Sequence, residues 1–88
     1  MKTAFRRSFE RDLRGISDRR TLDKIRRAIE AVESASAPGD VPNLKKMVGA
    51  QGYFRIRIGD YRIGVALEGD EVEFVRVLHR RDIYRSFP

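Results

Sequence analysis

Residues 53–65 read Tyr53-Phe54-Arg55-Ile56-Arg57-Ile58-Gly59-Asp60-Tyr61-Arg62-Ile63-Gly64-Val65. With the two-residue period of a strand, Phe54, Ile56 and Ile58 point to one side and Tyr53, Arg55 and Arg57 to the other. One side suits a core, and the other suits something anionic. Gly59-Asp60 puts glycine at the first central position of a two-residue turn, the requirement of a type II′ hairpin. That turn sets the register. Ile58 faces Tyr61, Arg57 faces Arg62 and Ile56 faces Ile63, so each side keeps its character across both strands. Two arginines directly opposite one another repel and weaken a sheet unless an anion answers them. The Arg57–Arg62 pair is the first functional clue.

Working outward, Tyr61, Ile63, Val65 and Leu67 make the core side of the second strand, while Arg62, Gly64 and Ala66 leave room above the other. Glu68-Gly69-Asp70-Glu71 turns the chain, and Val72–Leu78 reads as a third strand. With Gly69-Asp70 as the turn, Leu67 faces Val72 and Arg62 faces Val77. The cationic side then continues through Val75, Val77 and His79. This register also drives Arg76 into the core side, a conflict that a bulge would relieve.

Upstream, Lys2–Phe9 suggests a short edge strand entering a helix capped by Ser8, with Glu10 and Asp12 in its first turn and Phe9, Leu13 and Ile16 on one face. Ser17 or Asp18 caps a second helix, from Arg19 to about Ala35, in which Leu22, Ile25, Ile29 and Val32 recur at helical spacing. The two helices form a hairpin on one face of the sheet. Their outward residues, including Lys24, Arg26, Arg27, Glu30 and Glu33, mix signs and read as a solvated face. Ser34–Pro42 is a loop. After it, Leu44 and Met47 pack on the sheet edge while Lys45 and Lys46 reach solvent. The tail His79–Pro88 is a helical turn or extended cover anchored by Ile83 or Phe87. The fold class is therefore α+β, one domain over residues 1–88: a small antiparallel sheet with an N-terminal strand, a helical hairpin on one face and a C-terminal three-stranded meander.

Lys+Arg of 19 against Asp+Glu of 13 leaves a net charge of +6, which points toward nucleic acid or an acidic protein. Fifteen of the 19 are arginines, which favours bidentate contacts to phosphate or carboxylate; a coding bias toward arginine leaves the same count. With no cysteine and one histidine, thiolate and histidine-cluster metal sites are not expected. No apolar run is as long as a membrane span and no apolar signal core follows Met1, so a cytoplasmic home is expected.

If this register holds, Arg55, Arg57 and Arg62 converge with His79 and Arg80, and Tyr84 can fold back over them. Arginines neutralise phosphate oxygens and a developing phosphorane, and a histidine exchanges protons near neutral pH. RNA carries its own nucleophile, the 2′-hydroxyl, so such a set needs no metal or other cofactor. Lys45, Lys46 and Arg81 extend the basic surface, and Tyr53 is placed to stack on a base. Each has a plainer use: strand arginines discourage edge pairing, and Tyr53 and Tyr84 serve equally as packing aromatics.

The order of strand, helical hairpin and meander, together with Leu44-Lys45, the Tyr53–Arg62 stretch and the ending His79-Arg80-Arg81-Asp82-Ile83-Tyr84, resembles the RelE/ParE superfamily of toxins from toxin–antitoxin pairs. The resemblance covers nearly the whole chain. RelE-like members cleave messenger RNA in the ribosomal A site, leaving a 2′,3′-cyclic phosphate without a metal, and ParE-like members inhibit DNA gyrase without catalysis. The resemblance implies that Arg55 and Arg57 stand where RelE-like members carry lysines for proton transfer and phosphate binding. It also implies that Arg62 and Arg80 hold the scissile phosphate, that Tyr84 orients the substrate, and that a cognate antitoxin covers the basic site. Arginine cannot readily serve as a general base. That assigns proton transfer to His79, or leaves Arg55 only to stabilise an ionised 2′-hydroxyl. The expected partners are an antitoxin, the ribosome and messenger RNA, with no membrane; the alternatives are a gyrase inhibitor and a toxin-fold remnant that only binds.

Overall fold

The computed structural model describes residues 1–88. Five strands, β1 (Lys2–Phe5), β2 (Leu44–Lys46), β3 (Tyr53–Ile58), β4 (Tyr61–Glu68) and β5 (Glu71–His79), form one sheet in the order β1-β5-β4-β3-β2. Three helices, α1 (Arg7–Arg14), α2 (Arg19–Ser34) and the short α3 (Ile83–Ser86), complete the chain. The β3–β4 register is the one the turn dictates, with Ile58 opposite Tyr61, Arg57 opposite Arg62 and Ile56 opposite Ile63. Gly59 sits at φ 61° and Asp60 outside the left-handed region, the combination a type II′ turn requires. The sheet is mixed rather than wholly antiparallel. β1 runs parallel to β5 because α1 and α2 intervene before the chain returns.

α1 and α2 cover one face. Phe9, Ile25 and Val32 meet Ile56, Ile63, Val65, Phe74 and Val77 there, all buried. Asp18 caps α2, accepting from the Thr21 amide at 3.1 Å and the Thr21 hydroxyl at 2.7 Å. Ser8 does not cap α1. The position before that helix is Arg6, and the Ser8 hydroxyl donates instead to the Val75 carbonyl. The reason lies in the sheet edge: β1 stops at Phe5, leaving the second half of β5 with β4 on one side and no strand on the other. α1 takes that place and supplies side-chain partners for its backbone.

The decisive departure from the expected register is a bulge in β5. Leu67 faces Val72 and Val65 faces Phe74 as expected, but Gly64 then faces Arg76, so Val75 has no partner across the ladder. Arg62 faces Leu78 rather than Val77. One extra residue reverses the alternation of everything after it. Val77 turns into the helix-side core, and Arg76 comes out of it to meet Asp12 of α1 at 2.7 and 3.2 Å. Asp12 also accepts from the Val77 amide at 3.1 Å, so one carboxylate holds both the cation and the exposed ladder donor.

The opposite face carries a smaller core. Met47 and Val75 pack there with Ile83 and Phe87 of the tail, and Tyr53, Ala66 and Leu78 border them. Leu44 and Met47 therefore serve different faces, Leu44 the helix side and Met47 the tail side. The tail covers only part of this face. The end bearing Arg55, Arg57 and Arg62 stays open.

A candidate phosphate-binding site on the open sheet face

Strand alternation puts Lys45, Arg55, Arg57 and Arg62 on the open face, for Lys45 pairs with Arg55 and Arg57 with Arg62. With Asn43 and Tyr84 they line a cavity of about 240 Å³. No carboxylate lines it. A larger cavity of about 660 Å³ opens round the end of the sheet toward α2, and Arg57, Arg62 and Asn43 line both. Arg80 belongs to this larger cavity. Its backbone amide donates to the Asp60 carbonyl at 2.8 Å, tying the end of β5 to the β3–β4 turn.

Arg62 is the centre of the arrangement. One terminal nitrogen donates to the Gly59 and Tyr61 carbonyls, each at 2.9 Å, which fixes the guanidinium against the turn. Its Nε is buried and has no partner. A buried charged donor left unmade costs about 1–3 kcal/mol or more. Burial pushes the Arg62 pKa down, with Arg55, Arg57 and Arg80 acting in the same direction and Tyr84 against it. The guanidinium nevertheless remains charged, because the arginine pKa starts so high. None of Lys45, Arg55, Arg57, Arg62 and Arg80 takes part in an ion pair; the chain's four ion pairs lie elsewhere, at Arg6–Glu73, Arg26–Asp23, Arg76–Asp12 and Arg85–Asp82.

Tyr84 reaches the site because the tail is anchored on either side of it. Ile83 is fully buried and Phe87 nearly so, while Tyr84 is 59% exposed and lies with its ring centroid 5.6 Å from the Arg55 guanidinium. That cation–π contact is worth about 0.5–1 kcal/mol at an exposed position. Phe87 in turn rests on Gly64 and meets Tyr53 edge-on at 5.6 Å.

Four expected members are elsewhere. The bulge turns His79 to the helix side, where it pairs with Tyr61 across β4 and β5 with ring centroids 5.7 Å apart. It does not join the arginines. Arg81 follows it, donating through its backbone amide and Nε to His79 Nδ1 at 3.2 and 3.3 Å. Lys46 pairs with Phe54 and so stands opposite Lys45 in strand phase, away from the cavity. Tyr53 is on the correct face but lies under the tail against Phe87. Conversely, Lys24, Arg27 and Asn43 line the cavities although the sequence reading does not place them there. The signal for the first two is the grouping Lys24, Arg27, Ala28 and Ala31 along one helical stripe, where alanines leave space beside the cations.

Comparison with known proteins places this geometry. A family model described as the ParE toxin of type II toxin–antitoxin systems matches residues 4–84. Toxin RelE3 of Methanocaldococcus jannaschii is 38% identical over 89 residues, covering all of both chains. Among solved structures, the RelB–RelE antitoxin–toxin complex from Methanococcus jannaschii contains a chain that is 36% identical, with a TM-score of 0.79 over 97% of this chain and 99% of that one. The YoeB dimer from Staphylococcus aureus shares the fold at 13% identity, with a TM-score of 0.73 over 91% and 97%. The chain therefore belongs to the RelE/ParE family of type II toxin–antitoxin toxins.

Proposed function

We propose that this toxin is a metal-independent endoribonuclease that cleaves messenger RNA in the ribosomal A site, arrests translation and is neutralised by a cognate antitoxin. The single observation carrying this reading is the convergence of Lys45, Arg55, Arg57 and Arg62 with Tyr84 around one cavity that no carboxylate lines, none of the four cations being ion-paired. A scissile phosphate is the anion that fits. The RelE naming of the full-length relative and of the antitoxin–toxin complex supports both the activity and the partner.

In this reading the RNA 2′-oxygen attacks the adjacent phosphorus, the bond to the 5′-oxygen breaks, and a 2′,3′-cyclic phosphate and a 5′-hydroxyl result. Arg55, Arg57 and Arg62 stabilise the added charge on the phosphorane oxygens. Tyr84 stacks on or orients the neighbouring nucleotide. With His79 on the other face, proton transfer falls to Lys45 and Tyr84, the two cavity residues besides the arginines whose side chains exchange protons. With no histidine or carboxylate in the lining, the reaction depends on placement and charge, a demand that a ribosome-bound substrate meets.

Because the matching family model is named for a ParE toxin, a second reading is a gyrase inhibitor without catalysis. One experiment separates them. The toxin is expressed under tight control, and messenger-RNA 5′ ends and DNA-damage signalling are followed for the wild type and Arg62→Ala. Codon-phased ends in the wild type that vanish in the variant support the nuclease. Intact messages with a damage response support the inhibitor.

A further inference from the structure

The larger cavity contains more than the scissile phosphate requires. Its walls are α2, the β3–β4 turn and the segment before β2, and it gathers Lys24 and Arg27 beside Arg57, Arg62 and Arg80. Asp60 is the one carboxylate in the lining, and it pairs with none of these five cations. Lys24 stands at the rim. A Cβ placed on Gly59 would lie 3.2 Å from its Nζ, so the ammonium sits directly over the hairpin turn. Five unpaired cations around one concavity concentrate positive potential there and weaken the fold unless an anion occupies it.

Resting on the RNA reading of the smaller cavity, we propose that the larger one is a second phosphate subsite, which takes the backbone of the next nucleotide of the same strand. Continuity carries the argument. Arg57, Arg62 and Asn43 are shared walls, so a strand whose scissile phosphate lies beside Tyr84 passes over Arg62 and delivers its neighbouring phosphate to Lys24, Arg27 and Arg80. The lining also states what is recognised. No aromatic ring borders the larger cavity, whereas Tyr84 borders the smaller one. Base stacking therefore belongs to the cleavage site, and the α2 side reads ribose and phosphate without regard to sequence. The small floor of Ala28 and Ala31 leaves space for a sugar.

The test uses the full-length protein and oligoribonucleotides blocked by 2′-deoxy substitution at the cleavage position: a dinucleotide with one phosphate and a tetranucleotide with three. Affinities are measured over a salt series for the wild type and for Lys24→Gln/Arg27→Gln, whose exposed helix positions tolerate glutamine. The wild type is expected to bind the tetranucleotide at least several-fold more tightly than the dinucleotide. The double variant should keep dinucleotide affinity but lose that increment, and its salt slope for the tetranucleotide should fall by about 0.7 for each phosphate no longer neutralised. An increment equal in both proteins overturns the subsite while leaving the cleavage site standing. A dinucleotide that binds neither protein overturns the cleavage-site reading, and the subsite with it. An acidic peptide whose binding drops in the double variant while the oligonucleotide increment survives overturns the proposal in favour of a protein partner.

Discussion

The Phe87 ring occupies the space a side chain on Gly64 would need: a Cβ there would stand 2.6 Å from Phe87 Cδ2. Glycine at this position lets the tail lie on the sheet, and the tail in turn holds Tyr84 over Arg55. Gly64→Ala forces the ring away or strains the packing, at a cost of about 1–3 kcal/mol. Urea unfolding checks the stability loss. Messenger-RNA cleavage should fall as well, because Tyr84 is displaced, and a stable variant with full cleavage would show that the tail does not position the tyrosine.

Asp12 makes the bulge of β5 possible by accepting from both the Arg76 side chain and the Val77 amide. It is largely buried, and Arg76 is mostly so. The ion pair raises the Arg76 pKa, with hydrogen bonding to Asp12 as the main cause. Asp12→Ala strands a cation and a ladder donor, and is expected to destabilise the fold by about 3 kcal/mol. Asp12→Asn keeps an acceptor for Val77 and should lose less. Denaturant midpoints at constant slope measure both.

That bulge also marks where the sequence stopped being legible. Alternation and turn chemistry specified β3, β4 and their register, because the pattern of Phe54, Ile56 and Ile58 against Arg55 and Arg57 permits no other face assignment. The same logic carried β5 as far as Phe74. Beyond it, Arg76 on the core side signalled a conflict, yet the partner that resolves it, Asp12, lies 64 residues away and has no local signature. His79 changes face for that reason alone. For Lys24 and Arg27 the alanine-flanked stripe is the one local signal, and it does not by itself reveal a site: a helix face beside a sheet edge looks like a solvated face until the topology brings the edge to it.

His79 packs against Tyr61, away from the arginines. His79→Gln is therefore expected to cleave ribosome-bound messenger RNA at close to the wild-type rate. Lys45→Met and Arg62→Ala should each lose at least about tenfold, the scale of a positioned proton-transfer or charge-stabilising group. Primer-extension rates on a purified translation complex make the comparison. A large loss in His79→Gln alone would return proton transfer to the histidine.

Asp18 has its carboxyl pKa lowered, first by the Thr21 hydroxyl, then by the Thr21 amide and the nearby Arg20 charge. A carboxylate depressed in the folded state adds stability that is fully present above its unfolded value of about 3.9 and is lost as pH falls through the lower folded value. Asparagine caps a helix about as well as aspartate without titrating. The stability advantage of the wild type over Asp18→Asn should thus be constant near neutrality and shrink as pH drops below about 4. Thermal melts of the two proteins from pH 6 to pH 2.5 follow the difference, and a gap that widens on acidification would contradict the assigned direction.

Arg57 and Arg62 face each other across β3 and β4 with no acid between them. The free protein carries this repulsion as a standing cost, which a bound anion would relieve. Arg57→Gln should therefore make the free toxin more stable, by about 0.5 kcal/mol at low salt, the scale of like charges directly opposite in a sheet. The gain should fade as salt screens the pair. The same variant should bind a blocked dinucleotide less tightly, and phosphate added to the wild type should raise its melting temperature more than it raises the variant's. Stability and binding then move in opposite directions at one residue. If Arg57→Gln instead lowers stability at every salt concentration, the arginine is there for packing and not to meet an anion.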